Sequence, residues 1–239
     1  MSSAMLNAVD TFGEHFVDAS ELLGRYEATE QEAADTVRLL GLGPSDTVVE
    51  AGCGPGRFAQ ALASHGCRVI GVDISPQVVA LARQRHPGPD YRVLDMADLP
   101  PGCADALVNV YSSFGYSATP EEDAEVLRAW WSALRPGGRL LLELSDLERA
   151  KARLGEEGGT VHRETNGVRE ELRMDWQQQM LHVTYRIGDR RLDCRTRIYS
   201  RGQLVEGLRA AGFTEVDCFG GFDGREKTPE DRLVLVARR

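Results

Sequence analysis

Glu50-Ala51-Gly52-Cys53-Gly54-Pro55-Gly56 follows an apolar strand, Thr47-Val48-Val49, and runs into a helix that the pattern starts near Arg57. Three glycines at alternate positions let the backbone turn tightly with no Cβ in the way, so a ligand can approach the main chain closely. A second strand, Arg68-Val69-Ile70-Gly71-Val72, ends in Asp73. A carboxylate at that tip is where a strand–turn–helix–strand unit grips ribose hydroxyls. The dinucleotide fingerprint G-x-G-x-x-G needs its third glycine one position later, where Arg57 stands. The early glycine suits a ligand without a pyrophosphate, and Glu50 before the loop can attract a cation.

The 239 residues give room for one large domain or a domain with an appendage, and for a full core. A net charge of −9 argues against a dedicated nucleic-acid binder. Arg186, Arg190, Arg191, Arg195 and Arg197 crowd together late in the chain and read as a solvated sheet face. Five cysteines with no C-x-x-C pair fit reduced thiols rather than a disulfide frame or a zinc site. There is no H-x-x-H or carboxylate triplet at ligand spacing, so no metal is expected. The first residues carry no secretory signal, and no run approaches the ~20 apolar residues of a membrane span. The cytoplasm is the expected location, with no membrane or nucleic-acid partner.

Residues 1–28 read as one or two short helices that could lie over a site as a lid, with Phe12, Phe16, Leu22, Leu23 and Tyr26 as their apolar contacts. Residues 29–40 form a helix, and Thr29 with Glu32 looks like a capping box. Strands and helices then alternate: strand 46–50, helix 57–64, strand 68–72, helix 76–85 capped by Ser75, strands 91–94 and 105–110, helix 120–134, and strand 139–144. The last is a continuous apolar run, as expected of a strand buried on both faces. This order predicts a mostly parallel sheet with helices on both sides. The rhythm changes after Ser145. Leu181, Val183, Tyr185 and Ile187 alternate with polar residues, and Gly188-Asp189 turns the chain before Leu192–Ile198. A helix over 201–210 and strands over 214–219 and 232–237 then complete the sheet.

Four stretches together resemble class I S-adenosylmethionine-dependent methyltransferases: Val49–Arg57, Val69–Ser75, Asp95–Pro100 and Leu134–Leu140. A fifth, Asn109-Val110-Tyr111-Ser112-Ser113-Phe114-Gly115-Tyr116, resembles the small bacterial enzymes that tailor antibiotics and methylate amino sugars. The resemblance implies a Rossmann-like, doubly wound α/β fold with a mostly parallel seven-stranded sheet, an antiparallel β insertion and an N-terminal helical lid. It implies a lid or arm over 1–28 and a cofactor-binding core over 29–145. The β insertion over 146–198 would line the acceptor pocket or a subunit interface, and 199–239 would complete the sheet.

The cofactor implied is S-adenosyl-L-methionine, leaving S-adenosyl-L-homocysteine, and the partner is a small-molecule acceptor of a monomer or homodimer. By position, Gly52, Gly54 and Gly56 would face the methionine part and Glu50 its amino group. Asp73 would hold the ribose, Ile74 and Met96 would pack on the adenine, and Asp95 would accept from its amino group. Asn109 and Tyr111 would lie near the sulfonium. Alternatives are an amino-sugar or amino-acid N-methyltransferase, or a protein that binds the cofactor without catalysis.

Methyl transfer from a sulfonium is an in-line displacement with a good neutral leaving group. Alignment and exclusion of water therefore matter most, and positioning can be worth about 7–11 kcal/mol. A base is needed only where the nucleophile must lose a proton. Tyr116, just past the fourth strand, and His162 and His15, in segments that could fold over the site, are the candidates. His182, His65 and His86 are placed less suitably, and Glu143 alternates within the fifth strand. Trp176, Tyr185 and Tyr199 are available to stack on a flat acceptor.

Overall fold

The computed structural model describes residues 13–155 and 159–239; Phe12 and the rest of the first twelve residues lie outside it. Seven helices are described: α1 (Glu14–Leu22), α2 (Thr29–Leu40), α3 (Arg57–Ser64), α4 (Pro76–Arg85), α5 (Pro120–Ala133), α6 (Leu147–Leu154) and α7 (Arg201–Ala211). The strands are β1 (Thr47–Ala51), β2 (Arg68–Asp73), β3 (Asp90–Val93), β4 (Ala104–Asn109), β5 (Leu134–Leu144), β6 (Thr160–Thr165), β7 (Val168–Asp175), β8 (Met180–Ile187), β9 (Arg190–Arg197), β10 (Thr214–Phe219) and β11 (Leu233–Arg238).

Seven strands form one sheet in the order β10-β11-β5-β4-β1-β2-β3. All neighbours pair in parallel except at β11, which runs antiparallel to both β5 and β10. Strand order reverses between β1 and β4, where Val49 faces Leu107. The crevice beyond the carboxyl ends of those two strands is where ligands bind in sheets of this kind.

Burial on both faces explains the apolar runs. Val49, Leu107, Leu140, Leu142 and Leu235 pack on one side with Trp130 of α5 and Leu208 of α7. Val48, Ala106, Val108, Leu141 and Val234 pack on the other with Ala33, Phe58 and Leu62. Consecutive residues thus serve opposite layers. α4 begins as its sequence dictates: the Ser75 hydroxyl accepts from the Val78 amide at 3.4 Å, and Pro76 opens the helix.

β6, β7, β8 and β9 form a separate antiparallel sheet. Its inner face, including Val168, Val183 and Tyr185, packs against Phe16, Ala19 and Leu23 from the amino-terminal segment. α1 is thereby fixed to the second sheet by an apolar contact. The segment after Ser145 opens as a helix, not a strand. Asp146 caps α6, accepting from the Arg149 amide at 3.1 Å, and Ala150 anchors it against Met174 and Ile198.

The expected capping box at Thr29 does not form. The cap of α2 is Ala28, which has no side-chain hydrogen bond to offer. The Thr29 hydroxyl donates to the Tyr26 carbonyl at 2.8 Å and meets the Tyr111 hydroxyl at 3.1 Å, while Glu32 accepts from Tyr111 at 2.7 Å. A tertiary partner has captured both side chains.

Candidate active site

A cavity of about 890 Å³ opens beyond the carboxyl ends of β1 and β4 and continues under the second sheet. The glycine loop forms one end. Gly52 and Gly54 adopt φ of +75° and +53°, conformations that favour glycine. A Cβ on Gly52 would stand 2.8 Å from that of Ser113, whereas the space beside Gly54 is open. The loop backbone is thus bare where it borders the cavity.

Carboxylates surround that end. Asp73 accepts from the Gly54 and Ser75 amides, each at 3.0 Å, which ties the second strand to the loop. Burial pushes its carboxyl up, opposed by these donors. Glu50 is buried, and its Oε2 has no hydrogen-bond partner among the described residues. Burial, with Asp73 nearby, pushes its carboxyl well above the ordinary range. A desolvated carboxylate with one oxygen left without a donor is suited to a cationic ligand group. Asp95 accepts from the Ala97 amide at 2.8 Å, and Ile74 and Met96 supply apolar wall.

The turn after β4 joins the two ends. Tyr111 and Ser112 hold φ of 57° and 60°, left-handed conformations uncommon in residues other than glycine. Neighbouring bonds over-determine them. The Tyr111 amide donates to Glu143 at 2.6 Å, and the Ser112 hydroxyl accepts from the Ser145 amide and from Arg232, each at 2.9 Å. Arg232 also donates to Glu143 at 3.0 Å, forming an ion pair beside the cavity. The Tyr111 ring packs edge-on against Tyr26 and Phe58. Further along, a Cβ on Gly115 would come within 2.5 Å of the Arg197 carbonyl, so this turn lies directly against the end of β9.

Glu50, Gly52, Gly54, Asp73, Ile74, Asp95, Met96 and Tyr111 all border the cavity. Gly56 and Asn109 are not among its lining residues. Gly56 opens α3 and its carbonyl accepts from Tyr91 at 3.0 Å, leaving no room for a side chain. Asn109 is fully buried and donates to the Ala51 carbonyl at 2.8 Å, joining the tips of β1 and β4 from beneath.

Of the three candidates for a base, Tyr116 alone lines the cavity. Burial, with Cys194 and Tyr185 nearby, pushes its hydroxyl above the ordinary range, so it acts as a neutral phenol near pH 7. His162 is exposed on β6 beside a separate small groove, and exposed His15 meets Arg190 at 3.1 Å. Tyr185 borders the cavity, whereas Trp176 packs near Ala150 and the Tyr199 hydroxyl is held by Asp123 at 2.7 Å. Sequence reasoning missed Arg232. It pairs with a residue 89 positions away, and no local spacing marks it. Asn166-Gly167 was a legible signal passed over: both residues have positive φ and turn β6 into β7.

Residues 48–138 match the family model for the methyltransferase domain. A malonyl-[acyl-carrier protein] O-methyltransferase of Serratia marcescens is 33% identical over 147 residues, covering 57% of this chain and 55% of that protein. The chain spans about half the length, or less, of the first curated relatives it matches. Among solved structures, a S-adenosylmethionine-bound amino pentose methyltransferase of Micromonospora echinaspora aligns with a TM-score of 0.72 at 26% identity, covering 93% of this chain and 96% of that one. A S-adenosylmethionine-dependent methyltransferase of Clostridium acetobutylicum aligns with a TM-score of 0.76 at 15% identity, covering 94% and 98%, a likeness of fold. The matched region, its glycine loop and its carboxylates make residues 48–138 a class I methyltransferase domain whose cofactor is S-adenosylmethionine.

Proposed function

We propose that this chain methylates a small-molecule acceptor, of the kind found in bacterial secondary metabolism, by positioning it rather than by strong acid–base chemistry. The observation that carries this reading is the single cavity running from the glycine loop to the inner face of the second sheet. Bound S-adenosylmethionine supplies a methyl group on a positively charged sulfur.

The chain's own residues hold and shield. Gly52 and Gly54 offer bare backbone to the methionine part, with the unpartnered Glu50 oxygen beside it for an ammonium group. Asp73 keeps acceptor capacity for ribose hydroxyls beyond its backbone donors, Gly54 and Ser75 among them. Asp95 would receive the adenine amino group, and Ile74 and Met96 would flank the ring. Gly56 and Asn109 act at one remove, the first by seating Tyr91 and the second by fixing the tips of β1 and β4. α1 and the second sheet exclude water, and Tyr116 offers a neutral hydroxyl to orient the acceptor.

The 26% identity to an amino pentose methyltransferase supports a narrower second reading, with an amine as nucleophile. Calorimetry with S-adenosylhomocysteine tests the cofactor half. Transfer of a tritiated methyl group to pools of amines, phenols, thiols and carboxylic acids tests the rest. Tight binding with transfer to none of these pools would leave a protein that binds the cofactor without using it.

A further inference from the structure

The far end of the cavity combines an apolar wall with a concentration of positive charge. Leu172, Leu181, Val183 and Ile198 supply the wall from the second sheet and its end. Six arginines border the whole cavity: Arg25, Arg57, Arg149, Arg153, Arg163 and Arg232. Three are neutralised. Arg25 donates to Glu170 at 3.0 Å and to Tyr185 at 2.8 Å, Arg57 pairs with Glu21, and Arg232 pairs with Glu143.

The other three are not. Arg149 spends its hydrogen bonds on uncharged oxygens, the Glu230 carbonyl at 3.0 Å and the Ser145 hydroxyl at 3.5 Å, and the Glu230, Asp146 and Asp231 carboxylates act on it without an ion pair within 4.0 Å. Arg153 and Arg163 have no ion-pair partner within 4.0 Å among the described residues, and Glu170 and Glu230 act on Arg153 only from farther off. Arg149 and Arg153 are four residues apart on α6, a spacing at which like charges face each other and weaken a helix. Burial and mutual repulsion among these arginines push Arg153 down to about 10. An acidic protein that gathers three guanidinium groups without an ion-pair partner among the described residues beside an apolar wall has an unmet demand for an anion there. Guanidinium forks match carboxylate and phosphate oxygens two at a time.

We propose that the acceptor is an organic anion whose carboxylate or phosphate head is held by Arg149, Arg153 and Arg163 and whose apolar body lies along the second sheet. This rests on reading the cavity as a methyl-transfer site, and its test separates the two.

The full chain is saturated with S-adenosylhomocysteine and titrated calorimetrically with hexanoate, hexyl phosphate, hexylamine and hexanol. At least one anion should bind about tenfold or more tightly than both the amine and the alcohol. Whichever anion is favoured identifies the head group. In the double variant R153Q/R163Q that preference should fall below about threefold, with S-adenosylhomocysteine affinity unchanged and the thermal midpoint no lower, since mutual repulsion is relieved. Arg186→Gln, exposed on β8 and away from the cavity, should keep the full preference. Equal binding of the amine, no binding of either anion, or an undiminished preference in the double variant overturns the assignment. Loss of S-adenosylhomocysteine binding in the unaltered chain would sink the methyl-transfer reading itself. Normal binding without anion preference sinks this inference alone.

Discussion

The two ends of the cavity are built on opposite principles. At the glycine-loop end, residues at strand tips form the border: three glycines within five positions, then one carboxylate at the tip of β2 and one just past β3. The backbone is the recognition surface, and side chains matter chiefly by absence or by charge. At the far end, the wall comes from α1 and, more than a hundred residues later in the chain, from α6 and the antiparallel sheet. Side chains form the surface there, and each reaches the cavity only because another element packs behind it. The first design tolerates little change within a short stretch. The second can change its lining one residue at a time without disturbing the sheet.

The largest effect is expected where the two ends meet. Glu143→Ala leaves the Arg232 guanidinium beside the cavity without its ion-pair partner and releases the Tyr111 amide. A loss of about 3–5 kcal/mol in unfolding free energy is expected from chemical denaturation. A loss below about 1 kcal/mol would mean that solvent already carries that charge.

Next is Gly52→Ala, which places a Cβ 2.8 Å from that of Ser113 at a left-handed φ. Affinity for S-adenosylhomocysteine should fall about a hundredfold, roughly 2.8 kcal/mol, by calorimetry. If affinity survives, bare backbone is not what the cofactor end offers.

Glu50→Gln should act in the other direction on stability. A carboxyl whose folded pKa is raised binds its proton more tightly in the folded state. Between its unfolded and folded pKa values, stability therefore falls as pH rises. Removing the charge should add about 1–3 kcal/mol near pH 7 and flatten that decline, while weakening S-adenosylhomocysteine binding. Thermal melts from pH 4 to pH 8 check the sign, and a steeper decline in the variant would contradict it. The smallest effect belongs to Arg190→Ala, which removes two exposed contacts between α1 and the second sheet, to His15 at 3.1 Å and Asp18 at 3.9 Å. A change within about 0.5 kcal/mol is expected, because apolar packing around Phe16 and Leu23 fixes α1. A larger loss would move the attachment from packing to charge.

Legibility in the sequence follows the same division. β1, α3, β2 and α4 could be placed because glycine, Pro76, the Ser75 cap and uninterrupted apolar runs each have a local physical meaning. α6 was legible but went unread: Leu147, Ala150 and Leu154 recur at helical spacing and pack with Met174 and Ile198. Thr29 and Glu32 satisfied a capping pattern that the fold did not use, since the Tyr111 hydroxyl offered a better-buried partner. His15 and His162 lie in segments that could fold over the site, but whether either meets the cavity depends on strand register and on how α1 docks.

The order of apolar runs, turn residues and short carboxylates was enough to determine the parallel sheet and the crevice that the glycine loop and Asp73 border, because those features act over a few neighbouring positions. Tertiary structure alone decided that Glu143 meets Arg232, that a left-handed Tyr111-Ser112 turn is held in place, and that Arg149, Arg153 and Arg163 border one cavity. Each of those outcomes depends on distances between residues remote in the chain, which are set only when the layers pack.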